Sequence, residues 1–138
     1  MSQIIYESRG GNTRKLAEAM AKELGVKAED AKTASLSRDT DTLFLGSGCY
    51  GGKPGENMGK LIEANDFQGR RVALFGTSGG GKGLETEAMA EALRGKGATV
   101  VGKFHCGGQF LLFFSRGHPD DADLAAARQF AREMARLR

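Results

Sequence analysis

The stretch YESRGGNTRKLAEAMAKEL, residues 6–24, decides how the chain is read. It leaves a brief apolar strand, IIY at 4–6, and crosses a run of small and polar residues. It then turns helical, with Leu16, Met20 and Leu24 on one face and Ala17 and Ala21 beside them. Gly25 stands where a C-cap would end that helix.

The same order recurs downstream. TLFLGS (42–47) reads as a strong strand and is followed by GCYGGKPGEN and a modest helix at about 56–64, with Met58, Leu61 and Ile62 inward. RVALFGTSGGG (71–81) is again a strand running into a glycine loop. The next helix is expected to turn Leu84, Ala88, Met89, Ala92 and Leu93 inward and to end at Gly95 or Gly97. TVVGKFHCGG (99–108) is the last central strand, and AKTASL (31–36) a weak second strand at an edge. A terminal helix begins near Pro119–Asp120, where proline and acids suit a helix start. Its inner stripe is Leu124, Ala127, Phe130, Ala131, Met134 and Leu137.

Continuous apolar runs in strands one, three and four mean burial on both faces, the mark of a parallel sheet. Roughly 20 residues or more join successive central strands, enough for right-handed helical crossovers. The expected fold is a doubly wound α/β sandwich in one domain over 1–138. Ligands in such folds sit beyond the carboxyl ends of the strands, at the switch point in strand order. The glycine clusters fall at those ends: 21 of 138 residues are glycine, about twice the usual share.

Composition excludes several classes. With 40% hydrophobic and 27% charged residues, the chain reads as globular rather than disordered. The net charge is +3, without a long basic run, so no nucleic-acid partner is expected. The longest apolar run, FLLFF at 110–114, is too short to span a bilayer, and no membrane association is expected. Two cysteines do not make a disulfide framework, and the cytoplasm is the expected location. His105 and His118 lack the partners of a metal set, so no metal site is expected.

The first loop, SRGGNT at 8–13, has the chemistry of an anion cradle. Gly10 and Gly11 let the backbone bend and approach a ligand. Successive amides, with the head of the helix, present donors to a phosphate. Ser8 and Thr13 add hydroxyls, and Asn12 an amide. A tight turn with an N-cap is the alternative. The loop is not a nucleotide P-loop, having no terminal lysine–hydroxyl pair, nor a dinucleotide fingerprint, lacking the third glycine.

With that loop and that order of elements, the chain resembles the flavodoxin family over essentially its whole length. The family's first loop runs hydroxyl residue, any residue, threonine, glycine, any residue, hydroxyl residue. Here it is Ser8, Arg9, Gly10, Gly11, Asn12 and Thr13, with Gly10 in place of the threonine. The segment GHPDDADLAAARQFA (117–131), after CGG at 106–108, resembles the start of the last helix in some members.

The resemblance implies a five-stranded parallel sheet of order 2-1-3-4-5 and FMN as cofactor, its phosphate in the first loop. It places the flavin ring between two further loops. Ser47, Gly48, Cys49, Tyr50, Gly51 and Gly52 form the first, with Tyr50 the candidate to stack on the ring and a surface tyrosine the alternative. Thr77, Ser78, Gly79 and Gly80 offer donors from the second, which lacks the aromatic many flavodoxins carry there. FLLFF could cover the open ring face, although a core or hairpin role has the stronger claim. Arg9, Lys53 and Lys82 against Glu56 make these loops positive, which predicts a less negative potential for the second electron than the family norm.

The implied function is an electron-transfer flavoprotein serving redox partner proteins, with acidic surfaces on charge grounds, as a monomer or weak dimer. No side chain reads as a dedicated catalytic base. The alternatives are a small FMN-dependent NAD(P)H:acceptor oxidoreductase of quinone type, and a binding or regulatory module that has lost the cofactor. A tyrosine-phosphatase reading fails, because Cys49 is followed by YGGKPG without the closing arginine. Cys49 and Cys106 end strands three and five, about 10 Å apart at a strand spacing of about 4.8 Å. Free thiols are expected, with a redox role for Cys49 as the lesser alternative.

Overall fold

A computed structural model of the chain describes residues 2–78, 83–107 and 119–136. Five strands alternate with four helices: β1 (Ser2–Glu7), α1 (Asn12–Leu24), β2 (Ala28–Asp30), β3 (Thr42–Gly48), α2 (Glu56–Ala64), β4 (Arg71–Ser78), α3 (Leu84–Gly95), β5 (Thr99–Gly107) and α4 (Asp121–Arg136). All strand pairs are parallel, and the sheet order is β2-β1-β3-β4-β5. This is the doubly wound α/β fold expected from the sequence.

Alternation along each strand divides the interior into two cores. Ile5, Leu43, Leu45, Val72 and Leu74 face α2 and α3, where they meet Met58, Leu61, Ile62, Met89 and Leu93. Ile4, Tyr6, Phe44, Ala73 and Phe75 face the other way, onto Leu16, Ala17 and Met20 of α1 and Ala127 and Ala131 of α4. β3 is buried at every position, which accounts for its unbroken apolar run. On the α1–α4 face, Phe130 meets Phe44 edge-on with ring centroids 6.3 Å apart, and Phe104 at 5.6 Å. Arg132 and Glu23 tie the two helices together at 3.1 Å. Gly102 permits this close approach, since a side chain there would strike Met134.

α1 ends as its sequence indicates. Gly25 takes φ 71°, and its amide bonds to the Ala21 carbonyl.

Two expectations are corrected. The edge strand is Ala28–Asp30, not 31–36. Asp30 ends it: its side chain accepts the Lys32 amide and its carbonyl accepts those of Thr33 and Ala34. Ala31, Ala34 and Leu36 do bury against the α2–α3 core, but from a connecting loop. In α3 the buried face is Glu85, Thr86, Met89, Ala90 and Leu93. Leu84 is 49% exposed and Ala92 also faces out. Counting apolar residues alone misphased the helix, because its inner stripe starts at a glutamate. FLLFF, Lys82, His118 and Leu137 lie outside the described residues.

Candidate functional site: three loops at the carboxyl edge of the sheet

The first loop follows β1, the second β3 and the third β4. These strands are neighbours, so their exits share one edge, beside the β1/β3 point where the chain reverses its direction across the sheet.

Gly11 sits at the head of α1 with φ 89°, a conformation that disfavours a side chain. The helix therefore begins without a capping side-chain bond, and its first turn holds no acid. Four amides at a helix head need acceptors from outside the helix, and the dipole there favours an anion. Among the described residues, and apart from chain neighbours, no heavy atom lies within 4 Å of where a side chain would stand at Gly10 or Gly11. Two amides of the loop are already engaged: Gly11 donates to Ser8 Oγ at 3.0 Å, and Arg9 to the Tyr50 hydroxyl at 3.1 Å. Thr13 is buried, and its hydroxyl pairs with that of Thr77 at 2.8 Å, pinning the head of α1 to the end of β4.

The second loop is a tight reversal. Tyr50 and Lys53 bond backbone to backbone both ways, at 2.8 and 3.3 Å. Gly51 and Gly52 between them have φ of 65° and 81°. Two successive left-handed residues make a turn of the kind that glycine favours. Tyr50 folds back from this turn onto the first loop, with the Arg9 guanidinium 4.0 Å from its ring centroid. Burial raises its phenol above the ordinary value, against the lowering influence of Arg9.

Below the loops runs a polar row that sequence reading missed. Register places Glu7, Ser47, Gly76 and His105 side by side on β1, β3, β4 and β5. Glu7, only 7% exposed, accepts the Met58 amide at 2.7 Å and so caps α2. Ser47 Oγ accepts the Gly55 amide at 2.8 Å. α2 has no cap of its own because Gly55 precedes it, and a side chain there would strike Glu7. The signal in the sequence was an acid ending an apolar strand opposite a helix that begins with glycine.

The row continues at Gly76, where the missing side chain makes room for the Glu85 carboxylate. Glu85 is fully buried, and neither oxygen has a hydrogen-bond partner among the described residues. Burial drives its carboxyl above the usual range; its own amide, His105 and the Cys49 thiol act in the opposite direction.

Cys49 and Cys106 are free, half-buried thiols. Burial raises both; for Cys106 it is joined by Asp123, Asp120 and Glu85, to about 12. Both therefore stay protonated near neutrality.

The structure thus gathers Ser8 to Thr13, Ser47 to Gly52 and Thr77 at one edge of the sheet, with the Ser78 backbone beside them. Gly79 and Gly80 lie outside the described residues.

Comparison with known proteins agrees with this geometry. A family model described as a flavodoxin domain matches residues 3–111. A flavodoxin of Clostridium beijerinckii is 33% identical over 117 residues, covering 72% of this chain and 80% of the relative. An uncharacterised protein of Methanocaldococcus jannaschii is 27% identical, with 95% of each chain covered. Among solved structures, a flavodoxin from the domain Archaea superposes with a TM-score of 0.77 at 23% identity, covering 97% of this chain and 95% of that one. The chain belongs to the flavodoxin family. Its fold and relationships are those of a flavodoxin-type electron-transfer protein. No helix among the described residues is long and apolar enough to cross a membrane.

Proposed function

We propose that the protein binds FMN at this edge and carries electrons between partner proteins. The observation that carries the reading is the head of α1: a glycine-led helix start with no capping side chain, at the switch point of the sheet, in a flavodoxin-family chain. The donor set fits a phosphate. Ser8, Arg9, Gly10, Gly11, Asn12 and Thr13 would supply backbone amides and the Ser8 hydroxyl, the Gly11 amide exchanging its bond to Ser8 for the phosphate, and among the described residues the space beside the two glycines is open. The Thr13 hydroxyl is committed to Thr77, so Thr13 serves through its amide.

The ring loops are Ser47, Gly48, Cys49, Tyr50, Gly51 and Gly52 on one side and Thr77, Ser78, Gly79 and Gly80 on the other. When bound, FMN supplies the electron-carrying chemistry, and the protein sets its surroundings. Tyr50 would release the Arg9 amide to the phosphate and offer its ring to the flavin. Exposed Arg9 and Lys53 give this edge a positive rim, which favours added negative charge at the site and acidic surfaces on partners.

The test is titration of cofactor-free protein with FMN and with riboflavin. The phosphate cradle predicts FMN bound at least tenfold more tightly, and inorganic phosphate competing with it. Equal affinity for the two flavins, or no binding of either, would refute the reading.

A further inference from the structure

Glu85 differs from every other buried polar side chain described here. Glu7, the other buried acid, caps a helix and has a partner for its carboxylate. Ser47 bonds Gly55 and Gly48, Thr13 bonds Thr77, and Thr86 bonds the Gly83 carbonyl. Glu85 is fully buried with both oxygens unpartnered among the described residues. An ionised carboxylate in that position carries a desolvation cost that an apolar side chain of the same size would not. Lys103 on β5 pairs with Glu87, its neighbour on α3, and not with Glu85.

Its place in the fold gives the residue a use. Glu85 is in the first turn of α3 and lies over Gly76, directly beneath the exits of β3 and β4 where the ring loops begin. Among the described residues the groups facing it come from three strands and their exits. From the loop after β3 comes the Cys49 thiol, and from β5 the His105 imidazole, which also packs against Gly83; Cys106 lies on the other face of β5, against the α1–α4 core. From β4, Gly76 lies against it without a side chain. The head of α3 favours the anion, and burial favours the neutral acid. A group held between such opposed influences responds to one further charge nearby.

We propose that Glu85 is a proton store for the site, binding one proton when negative charge arrives at the ring loops and releasing it when that charge leaves. The inference rests on the flavin reading given above. The balance is simple: an external reductant supplies the electrons, hydronium supplies the proton, and the only bond made in the protein is the carboxyl O–H of Glu85, leaving water. Reoxidation reverses it. Glu85 touches no reacting atom in this scheme and acts through charge alone.

Infrared spectroscopy of the wild type and of Glu85→Gln tests it across pH, in the cofactor-free, oxidised FMN-loaded and electrochemically reduced protein. A carbonyl band of a buried carboxylic acid is expected in cofactor-free wild type at pH values below its titration midpoint, and absent from Glu85→Gln at every pH. In the loaded protein its titration midpoint should rise at least one pH unit on reduction, a tenfold tighter hold on the proton. Absence of the band from the wild type overturns the proton store. A band whose midpoint is the same in both redox states, in protein whose absorbance shows bound flavin, overturns the coupling alone. A protein that keeps the band but takes up no FMN overturns the flavin reading and the coupling with it.

Discussion

The Glu85 carboxyl makes the folded state bind protons more tightly than the unfolded chain does, because burial raises it above its ordinary value. Below that ordinary value both states are protonated and the group has no effect on stability. Above it the unfolded chain ionises first, so the native state is progressively penalised as pH rises to the folded value. Replacing Glu85 by methionine removes the penalty and fills the same volume. Chemical denaturation at pH 5 and pH 8 should show Glu85→Met gaining stability at the higher pH, by about 1–3 kcal/mol. An equal change at both values would mean that the carboxyl does not titrate differently in the two states. Glu7 should behave in the opposite way to Glu85 on truncation. Glu7→Ala leaves the Met58 amide without its acceptor and should cost about 1–3 kcal/mol in the same measurement.

At the scale of elements, the turn at Tyr50–Lys53 and the loop at Ser8–Gly11 are joined by one hydroxyl and one stacked guanidinium. A phosphate entering the first loop competes with that hydroxyl for the Arg9 amide. Tyr50→Phe keeps the aromatic face and removes the competitor. It should tighten FMN binding by up to about tenfold, the equivalent of one ordinary hydrogen bond; weaker binding would show that the hydroxyl assists the bound state instead. Most elements were legible in the sequence. β1, β3 and β4 are apolar runs that lead into glycine-rich sequence, and α1, α2 and α4 carry regular apolar stripes. The misreadings share one cause. Ala31, Ala34 and Leu36 bury without pairing as a strand, and Glu85 buries despite its charge. Composition records what prefers the interior, whereas tertiary context decides which backbone shape carries it there. The loops of the site could be found from their glycines. The polar row beneath them could not, because Glu7, Ser47, Gly76 and His105 become neighbours only through strand register.

Across the whole molecule, the two cores depend on different stretches of chain. The α2–α3 core is completed by residues up to Val100. The α1–α4 core needs Ala127, Phe130 and Ala131, near the end of the sequence. Phe130 links α4 to β3 through Phe44 and to β5 through Phe104. Phe130→Ala should therefore lower global stability by about 3 kcal/mol. Hydrogen exchange should show α4 and β5 losing protection more than α2, whereas a uniform loss would mean that the two cores unfold as one.

Among the described residues every strand pairs in parallel with neighbours distant in sequence, so the sheet they form is not held early by a hairpin. During synthesis, the segment that seals Phe44 and Phe75 leaves the ribosome only after all five strands have done so. Until it emerges, the nascent chain shows one greasy side of an otherwise assembled sheet. Chaperone capture and aggregation during translation are thus risks built into the order in which this polypeptide is made.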